Sequence, residues 1–248
     1  RNDIIDLQKD KIHPEKCKRP LPSGQITLKQ ANTTFLILVG IGLILSFSLD
    51  LLFGVFMVAL IINTEIYSRV TKNIVFLDVF AIGINFVIRA VSGIVLINTP
   101  ISPWIILGVF FVALFLGFMK RKSEIITLKN SADSHRKVLK HYTKSSLNIS
   151  VFISAMMVLA IFTIYSIIGP SDELKQQIFD DGRLILTVPF IIFIILRQLY
   201  LSKINHILIQ KNEFYKDKLT AIAIIFYSIF TLILLYTDFY SNFILTNL

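Results

Sequence analysis

The chain has 248 residues, of which 54% are apolar and 17% charged, and its mean hydropathy is +0.71. This composition is more apolar than one soluble core requires, and it indicates a membrane protein. The formal charge of +9 is compatible with nucleic-acid binding, but in so apolar a chain it more simply reflects the basic excess that orients membrane helices. The single cysteine, Cys17, excludes a disulfide framework and a multi-cysteine metal site.

In chain order, a polar segment of about 30 residues precedes a series of long apolar runs. As one helix, residues 33–66 would extend about 51 Å against a hydrocarbon core of about 30 Å, so we predict two spans that turn near Asp50. The further predicted spans are residues 74–97, 101–119, 147–168, 184–201 and 219–236. Because these runs are continuously apolar, they predict helices rather than the alternating strands of a β-barrel. The sequence predicts an all-α, polytopic transmembrane helix bundle with seven spans, forming one domain over residues 1–248.

Lysine and arginine are concentrated in alternate connections between the predicted spans. Seven fall in residues 1–30, two in 67–73, eight in 120–146 and four in 202–218. The Asp50 turn, the connection around Pro100 and the tail after Tyr236 carry none. This is the positive-inside pattern, and it predicts a multi-pass plasma-membrane protein with these basic segments in the cytoplasm and its C-terminus on the outer side.

Three carboxylates near the N-terminus recur at helical spacing. Asp3, Asp6 and Asp10 follow i, i+3 and i+7, which places them on one face of a helix. Like charges so placed repel one another unless something neutralises them, and Mg²⁺ binds proteins through one or two carboxylates plus phosphate oxygens. The alternative is a solvated acidic helix face.

A proline-rich basic turn follows at residues 13–24 and carries Lys16 and Arg19. Lysine and arginine beside Mg²⁺ are the usual clamp for a diphosphate or for a developing phosphoryl charge. Residues 27–30, Thr-Leu-Lys-Gln, form a capping box that predicts the start of the next helix at Leu28.

The segment from Asn2 to Gly24 resembles the first aspartate-rich motif of the UbiA superfamily of intramembrane prenyltransferases. It reads Asn-Asp-x-x-Asp-x-x-x-Asp and then His-Pro-x-Lys-x-x-Arg-Pro-Leu-x-Ser-Gly, and the family pattern continues with Tyr67, Ser68, Lys72 and Asp78. The resemblance implies nine helices, with this motif at the cytoplasmic end of the second. Seven spans therefore imply that the first two family helices are absent from this chain.

A second aspartate-rich motif is expected in prenyl-transferring members after the span that corresponds to the fourth span here. This chain instead has Lys120–Glu124, which reads Lys-Arg-Lys-Ser-Glu. Together with residues 88–93 and 100–104, this segment resembles the decaprenyl-phosphate phosphoribosyltransferase branch, whose members move 5-phosphoribose from phosphoribosyl diphosphate (PRPP) to a polyprenyl phosphate. By itself the basic run is typical of charge that flanks a span, and Glu124 could support the metal or pair with Lys120.

In the third span, Asp78, Ile82, Asn85 and Arg89 follow one stripe of a helix, with Arg89 near mid-span. An arginine inside the membrane is costly and is expected to face the bundle interior. We predict that this stripe lines the cavity beneath the metal site, with Arg89 near the acceptor phosphate. The alternative is a structural pair between helices.

The resemblance implies a Mg²⁺-dependent transferase that releases diphosphate and makes a cell-wall lipid precursor. It assigns Mg²⁺ and diphosphate to Asp3, Asp6 and Asp10, with Asn2 in support. Phosphate groups are assigned to Lys16, Arg19, Lys72, Lys120 and Arg121. Glu124 takes a supporting catalytic role, and substrate contacts come from Tyr67, Asn85 and Arg89. The expected partners are a polyprenyl phosphate, a diphosphate donor and membrane lipids, with no nucleic acid. The sequence leaves a homo-oligomer open.

Two other functions remain as alternatives. A prenyltransferase acting on an aromatic or lipid acceptor is disfavoured by the absence of the second aspartate-rich motif. Interrupted helices in matched halves of the chain would favour a transporter with a cation site, and the sequence lacks them. The acceptor phosphate is already ionised and needs no strong base, which agrees with four histidines that all lie outside the apolar spans.

Overall fold

The structure is a computed structural model that describes residues 1–12, 16–128, 137–169, 183–204 and 217–236. Within these residues all regular secondary structure is helical, which confirms the predicted fold class. The α-helices are α1 (Asn2–Ile5), α2 (Leu7–Lys11), α3 (Leu28–Leu49), α4 (Leu51–Arg69), α5 (Leu77–Leu96), α6 (Pro103–Leu128), α7 (Lys144–Ile168), α8 (Val188–Ile204) and α9 (Lys218–Tyr236). Short 3-10 helices occupy Lys16–Lys18, Thr71–Asn73, Lys137–His141 and Arg183–Thr187.

Seven helices in the described part of the chain are long and apolar enough to cross a membrane, as predicted. They span Leu28–Leu49, Leu51–Asn73, Leu77–Leu96, Pro103–Ile126, Lys144–Ile168, Arg183–Ile204 and Lys218–Leu235. Many of their Leu, Ile and Phe side chains are exposed on the protein surface. Such exposure is unfavourable in water and normal in lipid, so the surface itself fits a multi-pass membrane protein.

The helix α3 begins at the predicted capping box, the first two spans turn at Asp50 as predicted, and α4 continues past the predicted end at residue 66 to Arg69. Thr27 caps α3 through a reciprocal box, because its Oγ1 accepts from the Gln30 N–H at 3.2 Å and its own N–H donates to Gln30 Oε1 at 2.9 Å. Asp50 is the single extended residue between α3 and α4, and its carboxylate accepts from the Phe53 N–H at 2.9 Å. Each cap satisfies a helix-end donor and contributes about 1 kcal/mol.

Small and polar side chains bring the first helices together. Gly54 lies against the Phe47 ring so closely that a Cβ there would overlap it, which allows α4 to approach α3 just after the turn. Asn63 Nδ2 on α4 donates to Asn85 Oδ1 at 2.8 Å and to the Ala81 carbonyl at 2.9 Å on α5. In a bundle surrounded by lipid, such contacts take the place of a hydrophobic driving force between helices.

The described chain forms two compact units. The first comprises Arg1–Ile101 with Leu128–Thr143, and the second comprises Ser102–Thr127 with Lys144–Leu248. In the first, α4 packs against both α3 and α5, and in the second, α8 packs against both α7 and α9. The prediction of one transmembrane domain stays a prediction.

An ion pair with its own hydrogen bonds fixes α9 to α8 in the second unit. Arg197 Nη2 and Nε lie 2.6 and 3.0 Å from the two carboxylate oxygens of Asp217. Asp217 Oδ2 also accepts from the N–H and the hydroxyl of Thr220, at 3.0 and 2.8 Å, and Gln198 donates to that hydroxyl at 3.2 Å. The Arg197 hydrogen bond, followed by the two from Thr220, holds the pKa of Asp217 well below its ordinary value of 3.8.

We expect Asp217→Asn to lower the free energy of unfolding by about 2 kcal/mol at pH 7, because asparagine keeps the cap on Thr220 but loses the charge of the ion pair. Since the folded pKa is lowered, this stabilisation is fully present above about pH 4 and is lost as the pH falls towards the folded pKa. Thermal unfolding in detergent, followed by circular dichroism at several pH values, measures the difference, with Arg197→Gln as the partner variant. A deficit that is the same at pH 7 and at about pH 2.5 contradicts this account.

Candidate functional site

The three N-terminal carboxylates lie on two short helices rather than on one. Asp3 lies on α1 and Asp10 on α2, and Asp6 is the residue between the two helices, with φ and ψ of −91° and 7°. The Asp10 N–H nevertheless donates to the Asp6 carbonyl at 2.9 Å, so the helical spacing continues across the break. The predicted periodicity is therefore largely retained, with a local bend at its middle carboxylate.

Arg19 is the cation that Asp3 and Asp10 share. Its Nη1 lies 2.8 Å from Asp3 Oδ1 and 3.7 Å from Asp10 Oδ2. Asp3 and Arg19 are exposed, whereas Asp10 is buried. The basic turn thus folds back onto the acidic segment and brings one guanidinium between its first and last carboxylates.

Asp6 is paired with Lys72, which lies 66 residues further along the chain. Lys72 Nζ is 2.7 Å from Asp6 Oδ1, and the two side chains are only 11% and 18% exposed. Lys72 belongs to the 3-10 helix Thr71–Asn73 at the end of α4. The structure therefore joins two features that the sequence presents separately, the acidic segment and the lysine after the second span.

A second ion-pair cluster holds the start of α1 against the spans. Arg1 Nη2 lies 3.3 Å from Glu65 Oε1, and Arg69 Nε donates to the same oxygen at 2.6 Å. The Arg1 guanidinium also donates to Asn32 Oδ1 at 3.4 Å and lies 5.5 Å from the centre of the Phe35 ring. Sequence reasoning missed Glu65, although a carboxylate inside an apolar span is a signal that could have identified it.

Two buried hydroxyls close to Lys72 in sequence have no hydrogen-bond partner within the described residues. They are Ser68 Oγ and Thr71 Oγ1, and Ser68 is completely buried. The preceding residue, Tyr67, is half-buried. Buried polar atoms are normally satisfied, so these hydroxyls are available to a bound ligand or water.

Two predicted site residues lie at the edges of this cluster. Asn2 is exposed, and its carbonyl accepts from the Asp6 N–H at 2.9 Å as part of α1. Lys16 opens the 3-10 helix Lys16–Lys18, but its side chain lies outside the described part of the chain, as do residues 13–15.

The predicted stripe on α5 places its polar side chains in different surroundings. Asp78 is completely buried and accepts a hydrogen bond from the Tyr142 hydroxyl at 2.7 Å. Asn85 is half-buried and pairs with α4. Arg89 is exposed, with its guanidinium 5.9 Å from the centre of the Phe86 ring, and no ion pair reaches it from the described residues. Sequence reasoning missed Tyr142, which no spacing rule connects to α5.

Three further predicted residues, Lys120, Arg121 and Glu124, lie in the second unit. α6 continues to Leu128, so these residues occupy its last turns rather than a loop. Arg121 is 2% exposed, and its Nη1 lies 2.9 Å from Glu124 Oε2. Lys120 is half-buried. Glu124 thus forms an ion pair with Arg121, one of the cations that the resemblance assigns to phosphate.

Within the described residues, no three acidic, histidine or cysteine side chains converge closely enough to hold a metal ion by themselves. Cations of the chain instead accompany the three carboxylates, Arg19 beside Asp3 and Asp10, and Lys72 beside Asp6. The Mg²⁺ site stays a prediction. The arrangement is an interleaved cluster of carboxylates and cations that can bind a polyanion directly or through a metal.

Comparison with known proteins identifies the family. A family model described as "UbiA prenyltransferase family" matches residues 1–174, which is more than half of the chain. The decaprenyl-phosphate phosphoribosyltransferase of Mycolicibacterium smegmatis is 28% identical over 165 residues, covering 66% of this chain and 52% of that protein. The protein of the same name from Corynebacterium glutamicum is 29% identical over 202 residues, covering 78% and 58% respectively.

A relative with another activity in its name is also similar. The digeranylgeranylglyceryl phosphate synthase of Sulfolobus acidocaldarius is 31% identical over 127 residues, which cover 50% of this chain and 45% of that protein. The chain thus spans about half the length of the curated relatives that it matches. The matched region holds the acidic segment, Lys72 and the charged end of α6. With seven membrane-length apolar helices among its described residues, the chain is a multi-pass membrane protein and belongs to the UbiA prenyltransferase family.

Proposed function

We propose that this protein transfers 5-phosphoribose from PRPP to a polyprenyl phosphate and releases diphosphate. The observation that carries the proposal is the cluster in which Arg19 joins Asp3 and Asp10 while Lys72 pairs with Asp6. Both substrates are strongly anionic, and a cluster that mixes carboxylates with cations can hold phosphate groups and a metal together. Two relatives named decaprenyl-phosphate phosphoribosyltransferase support this choice of donor.

The two cations retain hydrogen-bonding capacity for phosphate oxygens. Lys72 carries three N–H donors and uses one on Asp6, so it can bind a phosphate oxygen without leaving that carboxylate. Within the described residues, Arg19 uses Nη1 on the acidic segment, so its remaining N–H groups can bind phosphate in the bidentate manner of guanidinium. We assign these two residues to the donor phosphates.

The carboxylates fit a divalent cation. Mg²⁺ uses one or two carboxylates and completes its shell with phosphate oxygens and water, and Asp3 with Asp10 already faces one shared cation. UbiA-family prenyltransferases generally use divalent metal ions. We propose that Asp3, Asp6 and Asp10 hold Mg²⁺, with Asn2 in support. When bound, the ion would neutralise charge that develops on the departing diphosphate.

The remaining assignments follow the resemblance. Lys16, Lys120 and Arg121 would contact phosphate groups, Glu124 would hold Arg121 in place, and the substrate contacts would come from Tyr67 and Asn85.

The lipid phosphate oxygen attacks C1 of the ribose as an anion, so binding and orientation replace a general base. The one described histidine, His141, is exposed, and the other three lie outside the described residues.

The membrane orientation is part of the same proposal. The basic segments, and with them the acidic cluster, would face the cytoplasm of the plasma membrane, and the C-terminus would lie outside. PRPP would then enter from the cytoplasm, while the polyprenyl tail would lie in the bilayer against exposed Phe, Ile and Leu side chains. The proposal requires no second protein and leaves a homo-oligomer open.

The direct test is transfer of radiolabelled PRPP into extractable lipid by the purified protein in nanodiscs that contain polyprenyl phosphate. We expect Mg²⁺-dependent incorporation that EDTA abolishes. Asp6→Asn should lower the turnover of the folded protein about 100-fold or more, because the amide cannot neutralise a cation. Asp50→Asn is the matched control, since asparagine also caps α4 and the residue lies at the turn between two spans. Full activity of Asp6→Asn contradicts the assignment.

A second candidate function is prenyl transfer, which the similarity to digeranylgeranylglyceryl phosphate synthase favours. The same nanodiscs, supplied with a prenyl diphosphate and an aromatic or lipid acceptor in place of PRPP, distinguish the two functions. Product formed only with PRPP and polyprenyl phosphate agrees with the proposal. Product formed only with the prenyl diphosphate overturns it.

Arg89 supplies a test of the acceptor side. Arg89 is exposed, and its guanidinium lies 5.9 Å from the centre of the Phe86 ring, so its kinetics can separate a role at the acceptor phosphate from a structural pair between helices. We expect Arg89→Ala to raise the Michaelis constant for polyprenyl phosphate about tenfold and to leave that for PRPP unchanged, because one charge-assisted contact is lost. Unchanged kinetics together with a lowered melting temperature would show a purely structural role.

A further inference from the structure

A strained turn connects Lys72 to the start of α5. Phe76 has φ of 65° and ψ of −44°. The N–H of Leu77 donates to the carbonyl of Val75 at 2.8 Å, which makes Phe76 the centre of a γ-turn of the rare, positive-φ kind. A bulky side chain disfavours this conformation sterically, so the surroundings must hold it in place.

Tyr142 is the residue that holds this turn. Its hydroxyl oxygen accepts from the Phe76 N–H at 2.7 Å, and the same hydroxyl donates to Asp78 Oδ1 at 2.7 Å. The rings of Tyr142 and Phe76 meet edge to face, with centroids 5.6 Å apart. Tyr142 and Asp78 are both buried, so water cannot easily replace either hydrogen bond.

The contact also fixes the chain on both sides of the turn. The 3-10 helix Lys137–His141, which directly precedes Tyr142, packs against Thr71–Asn73, the 3-10 helix that carries Lys72. Val138 and Leu139 in that helix are buried. The segment that ends in Tyr142 therefore contacts the chain at two places, the 3-10 helix that carries Lys72 and the start of α5.

We propose that Tyr142 is a positioning residue of the transferase, and that its bridge from the Phe76 amide to Asp78 keeps Lys72 oriented towards the donor phosphates. The inference rests on the proposed function, because that function is what gives Lys72 a donor phosphate to bind. Strain at a turn is often maintained where it serves a site, and here the strained residue lies four positions from the lysine that pairs with Asp6.

The test combines kinetics with hydrogen exchange on the whole protein in nanodiscs. Tyr142→Phe keeps the ring and removes the hydroxyl. We expect it to raise the Michaelis constant for the donor about tenfold with kcat within about twofold of the wild type, since a misplaced Lys72 weakens donor binding. Deuterium exchange of the peptide that contains Phe76 should become faster.

Asp78→Asn and Asp78→Ala form a matched pair for the same bridge. Asparagine retains an acceptor for the Tyr142 hydroxyl, so its donor Michaelis constant should stay near the wild-type value, whereas alanine should reproduce the effect of Tyr142→Phe. Tyr200→Phe is the control for loss of a hydroxyl elsewhere, because the Tyr200 ring lies beside Arg197 in the second unit. If Tyr142→Phe fails to fold, the Asp78 pair decides.

If Tyr142→Phe shows faster deuterium exchange at Phe76 but wild-type kinetics, Tyr142 has a purely structural role and the inference is overturned. Exchange and kinetics that both stay at the wild-type values would also overturn it. A wild-type protein that uses a prenyl diphosphate instead of PRPP refutes the proposed function, but the comparison of donor Michaelis constants is then made with that diphosphate and still decides the role of Tyr142.

Discussion

The ion pair between Asp6 and Lys72 connects the parts of the first unit on which the proposed chemistry depends. Three carboxylates within eight residues repel one another, and the fold accommodates them by bringing cations from elsewhere in the chain. Arg19 comes from the basic turn and Lys72 from the end of α4. The short N-terminal helices are thereby held against the spans through charge, with Arg1 and Glu65 forming a second such attachment.

This arrangement is suited to ligand exchange. A lysine and a carboxylate that are mostly buried interact strongly, and each can accept a new partner when a polyanion and a metal enter together. A site made only of carboxylates holds a polyphosphate only through bound metal ions, whereas a site made only of cations binds phosphate without a metal. The interleaved cluster is suited to a ligand that combines phosphate with a metal ion, as the proposed diphosphate donor would.

Much of the fold could be predicted from local sequence. The Thr27 cap, the turn at Asp50 and the seven apolar helices depend on residues that are neighbours in the chain, and all were confirmed. The end of α6 was harder, because its charged residues suggested a loop, although Lys, Arg and Glu are good helix formers and α6 continues through them. The break at Asp6 was missed because the three carboxylates keep helical spacing across it, and spacing was the only signal used.

The site residues that could be predicted from the sequence are those that belong to the family motif. Asp3, Asp6, Asp10, Arg19 and Lys72 belong to the family pattern, and the structure brings them together. Glu65 and Tyr142 were missed because each acts on a partner more than 60 residues away, and such pairs are set by tertiary packing. Both residues support the site indirectly, because Glu65 holds the first helix through Arg1 and Tyr142 holds the turn after Lys72.

The cluster around Asp6 and Lys72 is proposed to bind the donor diphosphate, and the dissociation constant of PRPP is the most direct measure of that binding. The measurement compares the wild type with Lys72→Gln, in the presence and absence of Mg²⁺, with Lys29→Gln on the exposed start of α3 as the control. We expect Mg²⁺-dependent binding that weakens about tenfold or more in Lys72→Gln and is unchanged in Lys29→Gln. Equal affinity of the wild type and Lys72→Gln for PRPP would contradict it.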